Sequence, residues 1–246
     1  MSDTGTQLRA RIDAEPTSRE ALAVYADWLA EHGETTRSEY MQLSLLERPT
    51  PAQRPRQHAL LAKHRGSWLG AARPFVHTWG ESQTSPGFLD WVSCNPLKLA
   101  KGFELVRQLG PRLTVGLNTV RTQREIAALE PVPLGTAWGL SLNEDDLSWV
   151  SDRLLTALAP RLTGLRKLVL AGYAFRVRSF ESVIAVIAPT LESLDLHVEY
   201  ASPTPFLELL LKTPLPRLER LEIGGPVDAP VKARLKATFG AALARR

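Results

Sequence analysis

Five histidines at positions 32, 58, 64, 77 and 197, a single cysteine at 94 and the acidic run Glu144-Asp145-Asp146 are the side chains of this 246-residue chain best suited to do chemistry. Cys94 with a base such as His77 would make a thiolate nucleophile. Cys94, however, follows Val92 in an apolar alternation, which predicts a small core residue on the inward side of a strand. The histidines show no zinc-ligand spacing with cysteine or with one another. The acidic run lacks the alternating oxygens and the bend glycine of a calcium loop, and its place before an apolar segment suits the positive end of a helix dipole. The chain has no G-x-S-x-G elbow, phosphate-cradling glycine loop or H-E-x-x-H pair. The expectation is a protein without catalytic residues, metal ligands or cofactor.

What remains is charge and patterning, and both depend on the elements that carry them. The net charge of +4 is uneven. Residues 1–47 hold four basic and nine acidic side chains, residues 48–124 twelve and three, and residues 125–246 fourteen of each. A basic middle segment, chiefly Arg54, Arg56, Lys63, Arg65, Arg73, Lys98 and Lys101, could meet nucleic acid or another anionic surface, or face the acidic first segment of the same chain. The basic end, with Lys232, Arg234, Lys236, Arg245 and Arg246, reads as a solvated helix face. One cysteine excludes an internal disulfide and fits a reducing compartment, so the cytoplasm is expected. No run of 18 apolar residues is present, and no membrane insertion is expected.

The first 47 residues read as a helical unit. Leu8 and Ile12 share a face of a short helix that Pro16 ends, and Thr17-Ser18-Arg19-Glu20 has the form of a capping box with Thr17 as cap. Leu22, Tyr25 and Leu29 recur at helical spacing up to a stop at His32-Gly33, and Tyr40, Leu43 and Leu46 or Glu47 continue the pattern on a third helix. Pro49, Pro51 and Pro55 mark a connector, followed by an amphipathic helix with Leu60, Leu61 and Trp68. Residues 70–90 carry no readable period.

Further on the chain repeats. Leu165-x-x-Leu168-x-Leu170, Leu191-x-x-Leu194-x-Leu196 and Leu218-x-x-Leu221-x-Ile223 align with starts 26 and 27 residues apart. Earlier copies place Leu140 with Leu142, Leu113 with Val115, and Val92 with Cys94 in the same slots. Each short strand points alternate residues to one side, and about 27 residues suffice for strand, turn, helix and turn, so successive strands pair in parallel. The apolar segments 147–158 and 180–187 supply helices that Pro160 and Pro189 should stop. A final helix capped by Asp228, with Val231, Leu235, Phe239 and Leu243 on one face, would close the array.

The repeat resembles the leucine-rich repeats, in the longer class with a true helix on the convex side. The string Tyr25-Ala26-Asp27-Trp28-Leu29-Ala30-Glu31-His32-Gly33-Glu34, with Arg37, Glu39-Tyr40 and Gln42-Leu43, resembles the signature of a bacterial repeat-companion domain, a helical unit that precedes such repeats; Glu34 stands where that family more often has Asp. The resemblance implies a scaffold architecture and assigns no catalytic residue. Read without it, Asp27, Arg37 and Glu39 bracket a tight turn that a salt bridge or cap would lock. The domains expected are a helical module at 1–47, a proline-rich connector and helix at 48–87, a solenoid at 88–226 and a capping helix at 227–246. The expected fold is therefore α/β, a leucine-rich-repeat solenoid behind a small all-α module.

In such a sheet the residues between the buried slots line the concave face. These are Ser141, Lys167, Val169, Ser193, Asp195, His197, Arg220 and Glu222, with Ala171 and Gly224 beside them and Thr114 extending the row of Ser141. Mixed charge without large aromatics suits a protein partner, alone or within a larger assembly, over a small-molecule pocket. The expected function is a non-enzymatic adaptor or scaffold, and the alternative is binding of nucleic acid or another anionic surface through residues 48–124.

Overall fold

A computed structural model describes residues 3–48, 50–81, 87–118, 120–144, 148–172, 176–198 and 202–243. The chain divides into two compact units, residues 1–92 with 104–113, and residues 93–103 with 114–246. The fold is α/β, with seven strands in one mostly parallel sheet whose order follows the chain. No helix among the described residues is long and apolar enough to cross a membrane.

The first unit opens with three helices, α1 (Asp3–Ala14), α2 (Arg19–Glu31) and α3 (Thr35–Ser44). Their shared core is Ile12, Leu22, Tyr25, Ala26, Leu29 and Met41, joined by Phe88, and Leu8 and Trp28 pack against it. The helical spacing of these residues is the reason for that core, and Gly33, at φ +86°, turns the chain from α2 into α3. Two details differ from expectation. Ser18, not Thr17, caps α2, its Oγ accepting from the Ala21 N–H at 3.3 Å, while Glu20 is drawn away to Arg11 at 2.9 Å. Helix α3 ends at Ser44, so Leu46 lies beyond it and is exposed.

Helix α4 (Gln53–Trp68) contains Pro55 in its first turn, where the missing N–H has no intrahelical partner to lose. The unreadable stretch holds a short 3-10 turn and a strand, β1 (Val76–Glu81). Then come β2 (Leu89–Cys94) and α5 (Pro96–Arg107).

The second unit alternates strand and helix: β3 (Thr114–Leu117), α6 (Gln123–Leu129), β4 (Gly139–Glu144), α7 (Ser148–Leu158), β5 (Lys167–Gly172), α8 (Val177–Ile187), β6 (Ser193–Val198), α9 (Thr204–Lys212), β7 (Arg220–Gly224) and α10 (Ala229–Phe239). Strands β3 to β7 pair in parallel. Leu140, Leu168, Leu194 and Leu221 fall in one cross-strand row, and Leu142, Leu170, Leu196 and Ile223 in the next. The leucines of both rows are buried, as are Leu154, Leu155, Leu158, Phe180, Val183, Ile184 and Leu207 on the helices. Burying a leucine or phenylalanine fully is worth about 1.5–3 kcal/mol, and this strand–helix interior is what fixes the register of the sheet.

The register corrects one assignment. Val115 pairs with Leu140 and Leu117 with Leu142, so β3 contributes 115 and 117 to the two rows, not 113 and 115. Leu113 is buried just before the strand. Gly116, and not Thr114, consequently stands beside Ser141, and Thr114 is buried next to Gly139. At the far end Asp228 precedes α10 as expected, but its carboxylate accepts from Thr204 Oγ1 at 2.9 Å instead of capping the helix. Helix α10 packs on α9, joined to it by an Arg234–Glu208 pair at 2.5 Å, with Val231 and Leu235 buried, and Leu243 adds a parallel bridge to Leu221.

Candidate functional site

Because side chains alternate along a strand, the residues between the leucines share the opposite face of the sheet. The register arranges them in three rows across β4 to β7. One runs Gly139, Lys167, Ser193, Arg220; the next Ser141, Val169, Asp195, Glu222; the third Asn143, Ala171, His197, Gly224. All eight side chains expected on a binding face lie in these rows. Ser193 is only 8% exposed between its neighbours and offers a partner little area, whereas Arg220 is exposed and Ser141, Lys167, Val169, Asp195, His197 and Glu222 are half-buried.

The charged residues concentrate on the last two strands. Asp195 and Glu222 are register partners, and His197 lies two residues beyond Asp195 on the same face. Nε2 of His197 is 2.6 Å from Oδ1 of Asp195, and Nη2 of Arg220 is 2.8 Å from Oε2 of Glu222. One ligand atom from each of Asp195, His197 and Glu222 falls within 4.8 Å of the others. The side-chain oxygen Oδ1 of Asp195 is shut off from solvent and accepts no hydrogen bond, despite the nearness of the imidazole. The ring rests over Gly224, where a Cβ would overlap Nδ1 and push it aside, so a glycine is what permits the arrangement. Linear spacing marks none of the histidines as a ligand. The missed signal is in the repeat itself, since Asp195 and Glu222 occupy the same slot of successive copies and His197 the slot after next.

Elsewhere the candidate groups are structural. Cys94 is completely buried, and burial pushes its thiol up to about 12, so it stays protonated at neutral pH; His77 is exposed. Asp145, Asp146, Arg245 and Arg246 lie outside the described residues, as does the side chain of Arg65. Arg54, Lys63 and Arg73 are exposed in the first unit, Arg56 is held by Glu39 at 2.7 and 2.8 Å, and Lys98 and Lys101 are exposed on α5 in the second. The basic residues thus fall on several elements, and one of them is neutralised by the acidic first segment.

The charged residues around the α2–α3 turn do not lock it by pairing with one another. Asp27 accepts from Gln42 at 3.0 Å, Glu39 takes Arg56, and Arg37 donates through Nε and Nη2 to the Gly87 carbonyl at 3.1 and 2.8 Å. Arg9 and Arg37 also lie over the Phe88 ring, at 4.6 and 5.4 Å from its centroid. Burial lowers the pKa of Arg37, partly opposed by Tyr25 and Glu34, yet from an ordinary value so high that the guanidinium keeps its charge. Tyr25 belongs to the core, stacked between Trp28 at 5.6 Å and Phe88 at 5.8 Å. Scanned against protein-family models, curated proteins and solved structures, the chain matches none.

Proposed function

We propose that the protein is a non-enzymatic interaction module, a repeat-companion unit followed by a leucine-rich-repeat solenoid, which binds a protein partner through the strand face of β4 to β7. The observation that supports this reading is the in-register set of three rows, with their charged residues on β5 to β7, backed by a continuous buried interior. Lys167 and Arg220 present positive charge in one row, and Asp195 and Glu222 negative charge in the adjacent one. A protein surface of complementary charge could match such a pattern, which fixes register and favours one partner over others. The free, buried Cys94 suits work in the reducing cytoplasm.

The test is capture from native extract at low and moderate salt, using the wild-type chain and a triple variant, Asp195→Ala, His197→Ala and Arg220→Ala. The expected result is a discrete protein held by the wild type at both salts and lost by the variant, with the melting temperature of the variant unchanged. Equal capture by both would remove this face as the binding surface.

A further inference from the structure

We infer that Asp195, His197 and Glu222 form a binding site for one divalent transition-metal ion, with Zn²⁺ as its representative. The inference stands apart from the partner-binding reading, because it concerns three side chains and not the face as a whole. Two carboxylates and one imidazole are a mixed donor set. Carboxylates alone would suit Mg²⁺ or Ca²⁺, whereas the imidazole nitrogen moves the preference toward the later first-row ions.

Three observations point the donors at a common centre. Their ligand atoms lie within 4.8 Å of one another, and the closest pair is 2.6 Å apart. Atoms bound to a tetrahedral Zn²⁺ at about 2.1 Å stand about 3.4 Å from each other, so small rotations of the side chains bring all three into place. Second, the buried Oδ1 of Asp195 accepts no hydrogen bond although Nε2 of His197 is beside it. An acceptor withheld from water, with only the imidazole at 2.6 Å beside it and no well-aligned hydrogen bond, is costly to bury, and a cation shared with that imidazole would satisfy it. Third, Gly224 gives the imidazole room to lie where it does, with Nε2 turned to Asp195.

The surroundings suit three protein ligands with remaining positions open to solvent. Val169 and Ala171, on the neighbouring strand β5, flank Asp195 and His197 and supply no donor. Arg220 is the local competitor, since its guanidinium is already on Glu222. Its positive charge opposes a second cation, and its removal should favour the metal.

The experiment is calorimetric titration of Zn²⁺ into the metal-free full chain, with the His197 imidazole followed by NMR. The expected result is one equivalent bound in the micromolar range or tighter, with the His197 resonances shifted and Ca²⁺ and Mg²⁺ binding more weakly. Asp195→Asn, His197→Gln and Glu222→Gln should each weaken the affinity about tenfold or more, and Arg220→Gln should strengthen it. These half-buried positions on the strand face allow folding to be checked by an unchanged thermal transition without metal. The absence of saturable binding would overturn the inference. So would binding that survives all three ligand substitutions, which would place the ion on His32, His58, His64 or His77, or a preference for Ca²⁺ over Zn²⁺.

Discussion

Cys94 shows what a single residue's environment decides. Its thiol ordinarily ionises near 9.0, and burial raises that to about 12. The sign follows from linkage: between these values the unfolded chain gives up the proton while the folded one keeps it. The thiol's contribution to stability is therefore complete below pH 9.0 and is lost as pH rises toward about 12. Denaturant titrations of the wild type and Cys94→Ala should show a stability gap that is constant near neutrality and narrows above pH 9.0. A gap that does not change with pH would mean that the thiol is solvated. Burial of Cys94 was legible from its two-residue offset from Val92. The partners of Arg37 were not, because the carbonyl it grips belongs to Gly87, fifty residues away, and backbone acceptors leave no mark in composition.

Among the helices and strands, two near-identical strings behave differently. Thr17-Ser18-Arg19-Glu20 and Thr122-Gln123-Arg124-Glu125 both have the capping-box form. Only the second forms one: Thr122 Oγ1 accepts from the Glu125 N–H at 3.2 Å, and Glu125 accepts from the Thr122 N–H at 2.9 Å. In the first, Ser18 offers a rival cap one residue later, and Arg11 on the preceding helix takes the glutamate. Thr122→Ala should accordingly cost about 1 kcal/mol in chemical denaturation, the usual loss for a cap, whereas Thr17→Ala should cost a few tenths at most. Equal losses would place the cap back on Thr17. The strands make a parallel point. For β4 to β7 the leucine alternation gave the register directly, but all four residues of β3 are buried, so its own sequence has no inside and outside, and only pairing with β4 settles the slots.

The period of about 27 residues made the parallel strand order readable from Leu140 onward, because each repeat must return the chain to the same side. The rows opposite the leucines followed from that order, while the convergence of Asp195, His197 and Glu222 required side-chain directions that spacing does not carry. Charge is the remaining property of the whole chain, and it leads to a test against polyanions. The excess of nine positive charges in residues 48–124 invites nucleic acid, yet Arg56 is already paired with Glu39, and the exposed groups on α4, the following turn and α5 belong to different elements. Affinity for nucleic acid scales with the number of phosphates neutralised together, and the logarithm of the binding constant falls with that of salt by about 0.9 per phosphate. Isolated surface cations are screened within about 8 Å at physiological ionic strength. The chain should therefore show a shallow slope on immobilised DNA, equivalent to about two or three phosphates, and be released by about 0.15 M salt. A slope of about five phosphates or more, with retention beyond that salt, would show that the basic groups act as one surface and would transfer the binding function from the strand face to residues 48–124.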